Sequence, residues 1–234
     1  MIKETNQFEY CKKTLKENPI FSNLSDPVLN ALLEGLKLKK WEKDFEFYTT
    51  NDVNENFHII LSGRVKIFQI NEETDREITV FLLQKHDVFD IISLLDQQKR
   101  STNFKALDDA EILSVPMQVM RNWIDTYPEI NKTLLPYLGK RMRMLEDSLT
   151  DNALTDIPTR LARLIARNIN QSSKELQLIN DLSHNEIASM IGSTRAVVNR
   201  HIQDFKKSGI IETTHKTTKI ISLEKLLDKI ESDL

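Results

Sequence analysis

The chain has 234 residues, a formal net charge of −3, and ordinary proportions of hydrophobic (40%) and charged (29%) residues. This length leaves room for two domains with cores of their own, and the composition is typical of soluble globular proteins. The longest apolar runs are too short to cross a bilayer, and residues 1–6 lack the apolar core of a signal peptide. Cys11 is the only cysteine, which excludes an internal disulfide and an all-cysteine iron–sulfur cluster. We therefore expect a cytoplasmic protein that does not bind a membrane.

Residues 1–116 are predicted to form an N-terminal domain of short strands. A short helical entry is expected between residues 20 and 35, because Asp26-Pro27 can begin a helix and Gly35 can end it. Apolar and polar residues then alternate in short segments at a spacing of roughly ten residues, which indicates an antiparallel barrel or roll. Ser62-Gly63-Arg64, between two apolar runs, predicts a hairpin. The predicted strands are residues 45–48, 57–61, 65–70, 77–82 and 110–115.

Residues 117–155 are predicted to form a central dimerisation helix and a hinge. The pattern from Gln118 to Leu149 is helical, with a break near Thr126-Tyr127-Pro128. Apolar residues recur at alternating spacings of three and four, which is the a/d seam of paired helices. We expect this seam to pair with a copy of itself in a homodimer, and the alternative is that it packs on its own barrel. The seam consists of Leu135, Leu138, Met142, Leu145 and Leu149.

Residues 156–234 are predicted to form a winged helix-turn-helix. A supporting helix is expected after Asp156, with proline in its first turn. Ser183 can cap the next helix with Glu186 in a capping box, and Gly192 can end that helix at a positive φ. A recognition helix then follows, and residues 210–221 give a two-stranded wing, to which residues 176–179 could add a strand.

The recognition helix presents residues that suit the major groove, where arginine can contact guanine. Lys216 and Lys219 on the wing can contact phosphate. Residues 156–221 contain ten Lys or Arg against six Asp or Glu, which fits a basic DNA-facing patch on an acidic protein. The simpler alternative is an ordinary helical hairpin with surface arginines. The candidate base-facing residues are Ser193, Thr194, Arg195, Ala196, Asn199, Arg200 and Gln203.

The order of these domains resembles that of the cyclic AMP receptor protein / fumarate-nitrate regulator (Crp/Fnr) family, over nearly the whole chain. Residues 57–67 are similar to the family's barrel hairpin, and residues 182–209 to its DNA-binding signature. The resemblance implies an α+β fold: a cyclic-nucleotide-binding-like β-roll (jelly-roll barrel), a long central dimerisation helix and a winged helix-turn-helix. It also implies a homodimeric transcription regulator that binds two-fold symmetric double-stranded DNA and works with RNA polymerase. By position, Arg195 and Arg200 match the family's recognition arginines.

The chain departs from the family pattern at two places. Ala196 stands where glutamate is common, so the usual half-site does not transfer, although Asn199 and Gln203 could compensate. In the candidate effector pocket, Asp90-Ile91 replaces the Gly-Glu pair of cyclic AMP binders, while Arg100-Ser101 matches the later Arg-Ser. Because an isoleucine cannot accept from a ribose and a carboxylate repels phosphate, we expect no cyclic nucleotide. No cofactor is expected, and the roll is expected to be empty or to hold an effector of different chemistry. Arg100 is expected to pair with Asp90 or Asp96.

Two alternatives to an effector-controlled regulator stay open. The protein could be a regulator without a small-molecule effector, controlled by its abundance or by a partner protein. It could also be a ligand-binding module whose C-terminal domain contacts protein rather than DNA. The sequence has no metal-ligand spacing among its histidines and no catalytic motif, so no enzyme activity is expected.

Overall fold

The computed structural model describes residues 5–47, 55–98, 102–214 and 217–231. The chain divides into two compact units: Met1–Gln69 with Val80–Arg143, and Ile70–Thr79 with Met144–Leu234. The domain boundaries at residues 116 and 155 stay a prediction. Among the described residues, no helix combines the length and the apolar character that a bilayer span needs.

Two four-stranded sheets form the predicted β-roll, which is confirmed. The strand order is β1-β8-β3-β6 in one sheet and β2-β7-β4-β5 in the other. All five predicted strands are present, but β1, β6 and β7 were not predicted. The strands are β1 (Lys37–Trp41), β2 (Glu46–Phe47), β3 (Asn56–Ser62), β4 (Val65–Asn71), β5 (Arg76–Leu83), β6 (Val88–Phe89), β7 (Asn103–Ala106) and β8 (Ala110–Pro116).

The hairpin predicted at Ser62-Gly63-Arg64 is wrong, because β3 and β4 lie in different sheets. The turn instead carries the chain from one sheet to the other. Gly63 has φ +79, and a Cβ there would lie 2.7 Å from the carbonyl oxygen of Asp109. Arg64 holds the same crossing by donating two 2.7 Å hydrogen bonds to the carboxylate of Asp108. Only glycine fits this close approach of two backbones.

Alternation along β3 divides the first unit into two apolar clusters. Phe57, Ile59 and Leu61 face one cluster. Apolar residues of the helices α1 (Thr5–Glu17) and α2 (Asp26–Gly35) pack in the same cluster. Ile60 faces the other cluster, inside the roll, with Trp41, Phe89 and Phe104. Helix α1 was not predicted, whereas α2 occupies the end of the predicted helical entry.

The predicted break in the helical region is confirmed. Helix α3 (Ile91–Asp96) precedes β7, and α4 (Met117–Thr126) is followed by a 3-10 turn (Pro128–Ile130) and α5 (Asn131–Leu154). Inside the first unit, Arg141 of α5 forms an ion pair with Asp87, and the Tyr137 hydroxyl accepts from the backbone N–H of Val88 at 3.3 Å. Burial raises the pKa of Tyr137, although the Arg141 charge opposes this.

The second unit has the predicted winged helix-turn-helix. Asp156 caps α6 (Ile157–Arg167) by accepting from the N–H of Thr159 at 2.9 Å. The predicted strand at residues 176–179 is reduced to isolated bridges at Glu175 and Leu176. The remaining elements are α7 (His184–Met190), α8 (Arg195–Lys207), β9 (Ile211–Thr213), β10 (Thr218–Ile220) and α9 (Leu223–Glu231), of which α9 was not predicted.

Gly63→Ala should destabilise the roll by about 2 kcal/mol or more, because it adds a clash to the cost of a positive φ. Urea unfolding followed by circular dichroism measures this change. Gly35→Ala is the control, since its new Cβ would lie no closer than 3.4 Å to its nearest neighbour, Val119. Its free energy of unfolding should change by less than about 1 kcal/mol. An equal loss in both variants would contradict the argument from Gly63.

Candidate DNA-binding surface and effector segment

The turn between α7 and α8 is fixed by side-chain caps and one glycine. The Ser183 hydroxyl accepts from the N–H of Glu186 at 3.2 Å, and the Thr194 hydroxyl accepts from the N–H of Val197 at 3.4 Å. Gly192 takes φ +64 between the two helices. These contacts confirm the predicted start and turn of the motif.

One face of α8 is buried and the other is exposed. Val198, Ile202 and Phe205 face the core of the second unit. Ser193 is half-buried beside the turn. The remaining candidate base-facing residues are all exposed, namely Thr194, Arg195, Ala196, Asn199, Arg200 and Gln203. The structure thus brings the predicted set together on one accessible surface.

His201 is a neighbour of Arg200 that the sequence did not single out. Nη2 of Arg200 lies 3.5 Å from Nε2 of His201. Burial lowers the pKa of His201, the Arg200 charge lowers it further, and the Asp204 and Asp156 carboxylates oppose both. A neutral imidazole can accept a hydrogen bond from the guanidinium.

The wing is a short two-stranded ribbon. Ile220 pairs with Ile211, and Thr218 pairs with Thr213. Lys219 is exposed on β10, where it is available to phosphate. The second predicted phosphate contact, Lys216, lies outside the described residues.

Two arginines donate to consecutive carbonyl groups at the turn. Arg160 of α6 donates to the Ile191 oxygen at 3.1 Å and to the Asn152 amide oxygen at 3.1 Å. Arg76 donates to the Gly192 oxygen at 2.9 Å. These carbonyl groups lie at the C-terminal end of α7, where the helix dipole favours positive charge. Sequence reasoning missed both contacts, since Arg76 is 116 positions from its acceptor.

The backbone is unusual at Asp90-Ile91, the first pair of the candidate effector pocket, which we call the effector segment. Asp90 precedes α3 at φ +64, a conformation typical of glycine and tolerated by aspartate, and its side chain is buried. Ile91 belongs to the apolar cluster that receives α1 and α2. Arg121 closes α3 by donating to the Ser93 and Leu94 oxygens at 2.7 Å and 2.9 Å. Arg100 and Ser101 lie outside the described residues, so the pairing expected for Arg100 stays a prediction.

Several aromatic rings pack against one another in the apolar cluster inside the roll. Trp41 stacks on Phe104 at a centroid distance of 5.9 Å, and His58 stacks on Phe89 at 4.5 Å. His58 is fully buried. Within the described ranges, no group of three His, Cys, Asp or Glu side chains converges as a metal site.

Comparison with known proteins matches both halves of the chain to family models. Residues 38–127 match the cyclic nucleotide-binding domain, and residues 159–229 match the Crp-like helix-turn-helix domain. The chain belongs to the Crp/Fnr family. The expected family and fold are therefore confirmed, and the chain is a DNA-binding transcription regulator.

Its relatives align over most of their length. The chain is 28% identical to a "CRP-like cAMP-activated global transcriptional regulator" of Mycobacterium tuberculosis, covering 88% of this chain and 94% of the relative. It is 29% identical to the "Global nitrogen regulator" of Synechococcus elongatus, and the alignment covers 75% of this chain and 82% of the relative. Among solved structures, a CooA mutant from Carboxydothermus hydrogenoformans superposes with a TM-score of 0.72 at 25% identity. The superposition covers 88% of this chain and 97% of the CooA chain.

Proposed function

We propose that this regulator is a homodimer that reads a two-fold symmetric DNA site through α8, works with RNA polymerase in the cytoplasm, and does not respond to cyclic AMP. The exposed polar face of α8 carries the proposal, because it joins two arginines and two amides on a helix that is capped at its start. A family dimer with one such helix in each subunit fits a two-fold site.

The dimer contact is assigned to the seam on α5. Leu135, Met142 and Leu149 are 62%, 64% and 72% exposed, and Leu145 is also exposed. Leu138 differs, since it packs partly on the apolar cluster of its own roll. Side chains of this size each contribute about 1.5–3 kcal/mol when they are buried. A second copy of α5 would cover this row and stabilise the dimer.

The α8 face predicts the kind of base pairs that are read. Arg195 and Arg200 can donate to guanine, whereas Asn199 and Gln203 suit the paired donor and acceptor of adenine. Ala196 offers only a methyl group, which can contact a thymine methyl but cannot accept from an amino group. We therefore assign a half-site that combines guanine with A·T pairs.

The effector segment argues against cyclic AMP. Ile91 is directed into an apolar cluster and has no group that could accept from a ribose hydroxyl. Asp90 keeps the backbone conformation of a glycine but adds a buried carboxylate, which repels a phosphate. The one charge-assisted contact that the family pattern still offers, from Arg100 to the cyclic phosphate, would contribute about 1.5–3 kcal/mol. Micromolar affinity for cyclic AMP needs about 8 kcal/mol.

Met142→Glu with Leu149→Glu should convert the dimer into a monomer, because the pairing would bury unpaired charge. Sedimentation equilibrium measures the mass, and fluorescence anisotropy measures the weakened DNA binding. The matched control is Leu223→Glu with Leu227→Glu, which places two charges on exposed apolar positions of α9. The control should stay dimeric. A dimeric Met142/Leu149 variant would remove the seam from the interface.

Arg200→Ala should lower affinity for a site selected from random DNA by about 1–3 kcal/mol and relax the base preference at one position. Lys219→Ala is the control, because a phosphate contact should weaken all duplexes about equally and reduce the salt dependence. Binding isotherms on selected and scrambled duplexes at fixed salt separate the two effects. Equal losses on both duplexes for Arg200→Ala would exclude it from base reading.

Calorimetric titration with cyclic AMP or cyclic GMP should show no saturable binding, and neither nucleotide should tighten DNA binding. The Mycobacterium tuberculosis relative, whose name states that it is cAMP-activated, serves as the positive control under the same conditions. Micromolar binding that also strengthens the complex with DNA would show that Asp90 and Ile91 are compatible with the nucleotide.

A further inference from the structure

A group of ion pairs joins the C-terminal turns of α5 to α6, and all of its members belong to the second unit. Asp151 of α5 forms an ion pair with Arg163, and its other carboxylate oxygen lies 3.1 Å from Nη2 of Arg167. Asp151 is only 8% exposed, so salt and water screen these pairs less than they screen pairs at the surface. We call Asp151, Arg163 and Arg167 the ion-pair cluster.

The connection between the two helices is short and hydrogen-bonded. Helix α5 ends at Leu154 and α6 begins at Ile157. Thr155 donates to the Asp151 carbonyl oxygen from its backbone N–H at 3.2 Å and from its hydroxyl at 2.8 Å. Asp156 then caps the first turn of α6. This short connection, next to the ion-pair cluster, fixes the angle between the end of α5 and α6.

Helix α6 also fixes the position of the helix-turn-helix. It packs against α8, and Leu161 of α6 and Ile202 of α8 line the same small cavity in the core. Arg160 of α6 donates to the Asn152 amide oxygen on α5 and to the Ile191 oxygen after α7, both at 3.1 Å. Contacts within one unit therefore hold together the end of α5, α6 and the turn before α8.

A different side of the same helical turns carries the dimer seam. Leu145 and Leu149 of α5 are exposed, and Asp151 lies about 120–160° around the helix from them. A second copy of the chain that pairs along Leu145 and Leu149 would therefore leave the ion-pair cluster in place. Because these contacts join each α8 to its own seam, the angle at the cluster sets the separation of the two α8 helices in the dimer.

A fixed separation of the two α8 helices matters because DNA is itself a helix. Each base pair inserted between two half-sites moves one of them by about 3.4 Å and rotates it by about 35° around the DNA axis. A rigid dimer cannot follow both changes, and one α8 then loses its half-site. Binding through two sites exceeds binding through one by about 100-fold or more, and this gain is lost when the geometry forbids simultaneous contact.

We propose that the ion-pair cluster determines the spacing between half-sites that this regulator accepts. The inference rests on the proposed function, since it needs a dimer that reads a two-fold site through α8. Asp151, Arg163 and Arg167 are positioning residues, because they act on α8 through α6.

The test compares duplexes that differ only in the spacing between two half-sites. The half-site and its spacing are those that the wild-type protein selects from random DNA, and further duplexes have one base pair more or one fewer between the half-sites. Fluorescence anisotropy at fixed salt gives the ratio of the affinities for the selected and the altered spacing. A lower folded fraction weakens binding to all duplexes equally, so this ratio does not depend on the stability of a variant.

Two variants remove the ion pairs of Asp151, namely Asp151→Asn and the double variant Asp151→Asn with Arg163→Gln. The double variant avoids leaving the charge of Arg163 without its partner. The wild-type protein should discriminate between the spacings by about 100-fold, and both variants by about tenfold or less. Arg163→Lys keeps the charge and should keep the wild-type ratio. Asp228→Asn, which removes an exposed carboxylate from α9, is the matched control and should also keep it.

The outcomes separate this inference from the proposed function. An unchanged ratio in both Asp151 variants would overturn the role of the cluster and leave the proposed function intact, as would a wild-type dimer that binds every spacing equally well. Sedimentation equilibrium shows whether each variant stays dimeric. A variant that lost the ratio by becoming a monomer would contradict the inference, because the seam lies on another side of α5. Failure of the wild-type protein to select any two-fold site would overturn the proposed function itself.

Discussion

The ion pair between Arg141 and Asp87 is the contact on which the orientation of α5 depends. Both side chains are largely buried, and the Tyr137 hydroxyl accepts from Nε of Arg141 at 2.9 Å. Burial disfavours the charged form of Arg141, but the Asp87 carboxylate and the Tyr137 hydroxyl together outweigh it, so the pKa of Arg141 is raised above its ordinary value. Removing one member of such a pair costs about 3–5 kcal/mol, because the other charge stays buried. The pair therefore fixes the rotation of α5 about its axis.

That rotation decides which side chains α5 leaves uncovered. Residues 137 and 141 are one turn apart and face the roll, and Met142 and Leu149 lie roughly 100–120° around the helix from them. With Leu135, these two are the most exposed members of the seam. The polar contact on one side of α5 is therefore accompanied by an exposed apolar row on a neighbouring side.

The sequence predicted elements whose signals are local. The caps at Ser183 and Thr194 and the turn at Gly192 depend on residues within a few positions of each other, and all three are present in the structure. Strand β1 was missed because lysines occupy most of it, which hides the alternation that marked the other strands. The hairpin at Gly63 was wrong because a tight turn signal does not say whether the next strand stays in the same sheet.

The candidate site was predictable only in part, because sequence patterns reveal local structure but not contacts between distant residues. The exposed face of α8 follows from helical periodicity, so Arg195 through Gln203 could be named from the sequence. The contact of Arg76 with the Gly192 oxygen joins residues more than a hundred positions apart, and no local pattern encodes it. The change from Gly-Glu to Asp90-Ile91 was visible in the sequence, but the burial of Ile91 in an apolar cluster became clear only from the structure.

The placement of the aromatic residues has a spectroscopic consequence. The chain has only two tryptophans, and both belong to the first unit. Trp41 lies inside the roll, 5.7 Å from the His58 ring, while Trp123 lies in the separate cluster with Phe21. The second unit therefore contributes no tryptophan fluorescence, and Trp41 is the intrinsic fluorophore inside the roll. A molecule that contacted the rings around Trp41 would change the surroundings of its indole, so its arrival would be visible without any label.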